Sequence, residues 1–318
     1  MAKIIFPRNF VNHNSILPVL LQTEYMFKSA GKNRTDFEYD LKQLKRISML
    51  GVLVLYKLID YAFKNRCFVG SYISGDSFFL ESVFKHYGFL ELLNSYIQNH
   101  HSNKSYGYLE FKTEGNLIIA PQPLLKNEHK HVNEMLQKKF APELNTFYHD
   151  NSKAVDMIFG CISEIIGNFW EHAVDDNNSI LVAEGNKDKI EISCADTGRG
   201  VISTLMNSKQ FSSNSTPEKL LAKALTKGIT SKPKTNHMGY GLWIIDEIVT
   251  RINGVFHLYS EGVYYINEYG KRKSINRGGF WQGTFIFLHL PLAKPITPSD
   301  IIRQELVPNN SLIEINFQ

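Results

Sequence analysis

The alternation of apolar and polar positions divides the 318-residue chain into two stretches of different texture. In the first, Asp36 to Leu41 (DFEYDL) alternates with period two and predicts a short strand. Apolar residues at helical spacing predict a helix from about Ser48 to Asn65, with Ser48 as its N-cap. Cys67 to Ile73 (CFVGSYI) is β-rich and ends on the turn residues Ser74-Gly75-Asp76. A second amphipathic helix is predicted from Phe78 to Ile97, interrupted near Gly88. YLEFK from Tyr108 and NLIIAP from Asn116, with a turn at Glu114-Gly115, read as strands that close this unit. The strand–helix–strand–helix order predicts an α/β or α+β layer.

The polar stretch from Lys126 to Asn145 carries a basic cluster and predicts a connecting helix broken near Pro142. It sets the expected division into residues 1–140 and 141–318. The second unit opens on a helix pattern from about Lys153 to Val174. SILVAEGN and KIEISCAD follow as a hairpin turning at Asn186–Asp188. A long polar stretch, Ser208 to Asn236, precedes a helix from Gly241 to Ile252 and strands at VFHLYSE, VYYINEY and GTFIFLHLP. Helices stacked on a mixed, mostly antiparallel sheet make an α/β sandwich.

Composition narrows the classes. The chain is 43% hydrophobic and 21% charged, enough to bury a full core. A net charge of +4 is a mild excess and argues against a nucleic-acid partner. The 3 cysteines, Cys67, Cys161 and Cys194, include no CxxC pair, so reduced buried thiols are expected rather than disulfides or structural zinc. The longest apolar run, Met49 to Phe63, is interrupted by Lys57 and Asp60 and is shorter than the about 20 residues of a membrane span. With no apolar leader at the start, a cytoplasmic protein without a membrane partner is expected.

Four segments of the second unit carry candidate chemistry. Glu164, Asn168 and His172 recur every four residues and share one helix face. A carboxylate can serve as a general base, and an amide oxygen is a suitable Mg²⁺ ligand. Asp196-Thr-Gly198-Arg-Gly200 follows an apolar strand and places an acceptor beside a side-chain-free bend. Gly239-Tyr-Gly241-Leu242 opens a helix, where free N–H groups and the dipole favour phosphate. Gly283-Thr284 opens a strand and offers a hydroxyl. Each alone reads as an ordinary solvated face, turn or strand start; their order along the chain gives them weight together.

This set resembles the GHKL ATPase superfamily (gyrase B, the ninety-kilodalton heat-shock chaperone, histidine kinases, MutL) over about Lys153 to Pro291. The resemblance implies a Bergerat fold binding ATP and Mg²⁺. It implies that Asn168 ligates the metal and that Glu164 is the general base. Asp196 would bind the adenine amine in a pocket shaped by Gly198 and Gly200, with Thr284 nearby. Gly239, Gly241 and Leu242 would form the phosphate cradle, and a lid over Val201 to Met238 would bring Lys232 or Lys234 to the γ-phosphate.

The spacing Glu164-x3-Asn168-x3-His172 is similar to the helix of anti-sigma-factor serine kinases. Residues 36–93 resemble a divergent STAS-type domain, with Ser48 set one residue away from that family's phosphoacceptor position. The implied function is an ATP/Mg²⁺-dependent regulatory protein with ATPase or Ser/Thr kinase activity, acting on an unidentified protein partner, with a homodimer possible on the same grounds. A non-catalytic ATP-dependent interaction switch and a histidine-kinase-like signalling protein stand as alternatives. His129, His131 and His149 offer no phosphoacceptor hairpin upstream.

Overall fold

The computed structural model describes residues 2–28, 36–65, 71–90, 92, 116–124, 134, 136–172, 179–208, 215–229 and 239–306, with the backbone alone at Phe63, Ser71, Lys139, Trp170–His172, Glu305 and Leu306. Cys67, YLEFK, the basic cluster at 126–133, the end of the predicted helix beyond 92, and Lys232 and Lys234 lie outside these residues.

The first unit is built on three parallel strands, β1 (Ala2–Ile5), β3 (Phe37–Asp40) and β5 (Ser71–Ser74), in the order β1-β3-β5. A short parallel pair, β2 (Asn9–Phe10) and β4 (Arg46–Ile47), lies beside it. Its helices are α1 (His13–Lys28), α2 (Met49–Lys64) and α3 (Ser77–His86). The Ser48 hydroxyl caps α2, accepting from Gly51 N at 3.2 Å. A helix apolar all round must be covered all round, and α2 is buried from Met49 to Ala62. Lys57 and Asp60, which interrupt its apolar run, are themselves buried and paired at 2.9 Å, with Lys64 reaching Asp60 at 2.8 Å.

Sequence patterning passed over β1 and α1. The signal for α1 is a reciprocal cap: Ser15 N donates to Asn12 Oδ1 at 3.2 Å, and Asn12 N donates back to Ser15 Oγ at 3.0 Å. Pro18 inside the helix obscures the pattern.

The second unit holds seven strands: β6 (Leu117–Leu124), β7 (Ser179–Gly185), β8 (Lys189–Ala195), β9 (Val255–Ser260), β10 (Val263–Glu268), β11 (Lys271–Asn276) and β12 (Thr284–Pro291). Their order is β11-β10-β9-β12-β8-β7-β6, and every described pairing is antiparallel, where a mixed, mostly antiparallel sheet was expected. The NLIIAP strand, expected to close the first unit, is β6 and pairs with β7 at this sheet's edge. Helices α4 (Ala141–Phe147), α5 (Ser152–His172), α6 (Val201–Asn207), α7 (Pro217–Ala224), α8 (Gly241–Arg251) and α9 (Pro298–Leu306) complete it. A π-helical turn, Leu136–Phe140, leads into α4, whose first turn holds Pro142.

The large sheet is covered on both faces. Ile190, Ile192, Cys194, Phe256, Leu258, Ile286 and Leu288 pack with α5 and α8 in one core. Ile180, Val182, Ala195, Tyr259, Tyr264 and Phe285 pack with α1 and α2 in the other. The result is an α/β arrangement of layers with the sheet in the middle, and the double burial explains why its central strands read as nearly continuous apolar runs. Cys161 and Cys194 are buried thiols outside any disulfide, as expected. No described helix is long and apolar enough to cross a membrane.

Candidate functional site

Two helices and two strands deliver the candidate residues to one end of the sheet. At its start, α5 is tied to the opposite end, where Asn151 Nδ2 donates to Leu292 O at 3.2 Å and Leu292 N to Asp188 O at 2.8 Å. Helix α8 ends at Arg251, and the chain turns into β9, so α8 runs back along that strand. Its eleven residues rise about 16 Å, which returns Gly241 toward the end of β9. Ser260, the last residue of β9, faces Thr284, and Asp196 directly follows β8.

The first cluster joins Glu164, Asn168 and Gly241. A Cβ on Gly241 would stand 2.5 Å from Glu164 Oε2 and 3.1 Å from Asn168 Nδ2. Only glycine lets α5 and the start of α8 approach this closely. Asn168 Nδ2 donates to Glu164 O at 2.8 Å, which commits the nitrogen and leaves Oδ1 as the amide's ligand atom. Helix α8 begins after Tyr240 with no side-chain cap and no acidic residue in its first turn. Its leading N–H groups and positive dipole end therefore stand beside one carboxylate and one amide. Glu164 also adds to burial in pushing the Cys161 thiol up to about 12, which keeps that thiol protonated and unreactive. Leu242, next in α8, packs against the core. His172 ends α5 on the same face, but its side chain is outside the described set.

The second cluster centres on Asp196, which is 2% exposed. Its Oδ1 accepts from Gly198 N at 2.7 Å and its Oδ2 from Thr284 N at 3.2 Å. Its backbone N donates to Thr284 O at 2.9 Å, and its carbonyl accepts from Trp281 Nε1 at 2.7 Å. Gly283 leaves no room for a side chain, since a Cβ there would strike the same carboxylate. Thr284 is thus a direct neighbour of Asp196. Gly200 precedes α6, whose first turn is held by Ser260 and Glu261. Val201 N donates to Ser260 Oγ at 3.0 Å, Ser203 N donates to Glu261 Oε2 at 2.8 Å, and Ser203 Oγ donates to Glu261 Oε1.

Ser260, Glu261, Trp281 and Gln282 escaped sequence reasoning. They lie far along the chain from the loop they hold, and only the β9–β12 register brings them there.

The expected lid over Val201 to Met238 is partly seated. Ile202 and Leu205 of α6 and Leu220 and Leu221 of α7 are buried in the core. The Thr216-Pro217-Glu218 start of α7 was its missed sequence signal, with Thr216 Oγ1 accepting from Lys219 N at 3.4 Å. Gly228 N donates to Gly239 O at 3.1 Å, so the chain on either side of residues 230–238 is joined at its base. Gly239 has a φ of +67°, which suits glycine at this junction. Lys227 places its Nζ 5.0 Å from the centroid of Trp243.

Cavities of about 510 Å³ and 680 Å³ lie elsewhere: one between α7, α8 and β11, the other between α3 and the start of α2. Neither is lined by Asn168 or Asp196. No protein-family model matches the chain, and a search of curated proteins finds no match.

Proposed function

We propose that the protein is an ATP- and Mg²⁺-binding regulatory protein of the GHKL type, with ATPase or Ser/Thr kinase turnover. The observation that carries this reading is the approach of Glu164 and Asn168 to Gly241 at the uncapped start of α8. A helix N-terminus alone accepts many anions. A carboxylate and an amide on the facing helix add a proton acceptor and a hard oxygen ligand, which a polyphosphate bound through Mg²⁺ needs.

The residues present fit the metal: Asn168 supplies one oxygen, and phosphates and water suit the remaining positions. Bound Mg²⁺ would offset phosphate charge. The backbone N–H groups from Gly241 onward hold the terminal phosphates, and Glu164 accepts the proton of an attacking water or hydroxyl. Asp196, its carboxylate fixed by two backbone N–H groups, serves as the acceptor for an exocyclic amine. The first unit, read as STAS-like, then serves as the regulatory half from the rear face of the sheet.

Calorimetric titration of the full chain with a non-hydrolysable ATP analogue tests the reading. Mg²⁺-dependent binding that Asn168→Ala and Asp196→Asn each weaken at least tenfold is the expected outcome. Glu164→Gln should bind the analogue yet lose phosphate release. Absence of saturable nucleotide binding overturns the proposal.

A further inference from the structure

A second cluster lies away from these residues, where α1 meets the large sheet. His13 is the first residue of α1, His257 lies in β9, and Glu268 ends β10. Opposite pairs in the β9–β10 ladder are His257 with Ile266 and Val255 with Glu268, so His257 and Glu268 are diagonal neighbours on one face. That face is the one turned toward the first unit, as Tyr259 and Tyr264 of the same strands show.

His257 Nε2 is 3.0 Å from Glu268 Oε1, and His13 Nδ1 is 3.9 Å from the same oxygen. The two imidazoles meet edge to face with centroids 4.4 Å apart. One ligand atom of each residue lies within 4.8 Å of the other two. These groups satisfy one another poorly, because the His13 separation is too long for a hydrogen bond. His257 is 4% exposed, and its Nδ1 is buried with no partner.

We propose that His13, His257 and Glu268 bind one divalent transition-metal ion of the zinc class and so clasp α1 to the sheet. Two imidazole nitrogens and a carboxylate are a common borderline-soft donor set, and three protein ligands leave a position for water. Glu268, the most exposed of the three, gives the ion a route in. Two imidazole nitrogens favour such an ion over Mg²⁺ or Ca²⁺, which are held by oxygen ligands.

The test uses the full chain, stripped with a chelator and titrated with ZnCl₂ in a calorimeter. It needs no nucleotide and is independent of the reading above. One saturable Zn²⁺ per chain is expected, unmoved by millimolar Mg²⁺ and accompanied by a higher thermal midpoint. His13→Ala and Glu268→Gln, chosen because His257 is too buried to replace safely, should each weaken Zn²⁺ roughly tenfold or more. Their metal-free circular dichroism should match the parent chain. His149→Ala, at an exposed residue elsewhere, should leave the affinity unchanged. Absence of saturable Zn²⁺ binding, or parental affinity in both His13→Ala and Glu268→Gln, overturns the proposal.

Discussion

Tyr61 of α2 donates a hydrogen bond to Gln282 Oε1 at 3.3 Å, and Gln282 Nε2 donates onward to Thr197 O at 3.1 Å. Two side chains thereby connect the central helix of the first unit to the loop that follows Asp196. If the first unit regulates the proposed nucleotide site, this is a direct mechanical link. Tyr61→Phe removes one partly buried hydrogen bond, worth about 1 kcal/mol. It should change ATP-analogue affinity several-fold while lowering the melting temperature only modestly. Calorimetry and thermal melts on the same samples separate the two effects; unchanged affinity would remove the link from the account.

Gly241→Ala should destabilise the fold by about 1–3 kcal/mol, because the new methyl meets Glu164 Oε2. Glu164→Ala should relieve part of that loss. A double-mutant cycle by denaturant unfolding should return a favourable interaction energy between the two substitutions. Additive losses would mean that the two helices do not approach as described.

Trp281 is fully buried, and its indole N–H serves the Asp196 carbonyl. Trp281→Phe keeps an aromatic ring but leaves that acceptor without the indole donor. A loss of about 1–3 kcal/mol is expected in urea unfolding. Trp243→Phe, made at a cation–π site near the base of residues 230–238, should cost less, on the order of 1 kcal/mol.

Glu184 and Glu191 stand directly opposite each other in the β7–β8 ladder. Burial, with Glu191 adding, pushes Glu184 up to about 7, and Lys189 opposes the shift. Glu191 is held below its ordinary range by hydrogen bonds from His289 and Lys189. The folded state therefore holds a proton on Glu184 between about pH 4.5 and 7 that the unfolded chain releases. Its stabilising contribution is full below that window and is lost as pH rises through 7. Glu184→Gln should melt at nearly the parental temperature at pH 5 and above it at pH 8. The difference should be on the order of 1 kcal/mol after allowance for partial exposure. A constant offset across that range would place the proton elsewhere.

The sequence by itself determined most of the regular elements near the candidate site. Apolar, β-rich runs predicted β7, β8, β9, β10 and β12, helical spacing predicted α2, α5 and α8, and Ser48 announced its cap, because all of these signals are local. The four-residue spacing of Glu164 and Asn168 already placed them on one helix face. Only the tertiary structure decided that this face meets Gly241, since that contact depends on how two helices cross over a sheet. It also decided that β6 joins the large sheet, that the sheet is buried on both faces, and that Trp281 and Gln282 hold the Asp196 loop. Strand register and packing between layers are long-range outcomes of burial, and no window of a few residues encodes them. His13, His257 and Glu268 illustrate the same point: each is unremarked in its own segment, and the ladder and the docking of α1 bring them together.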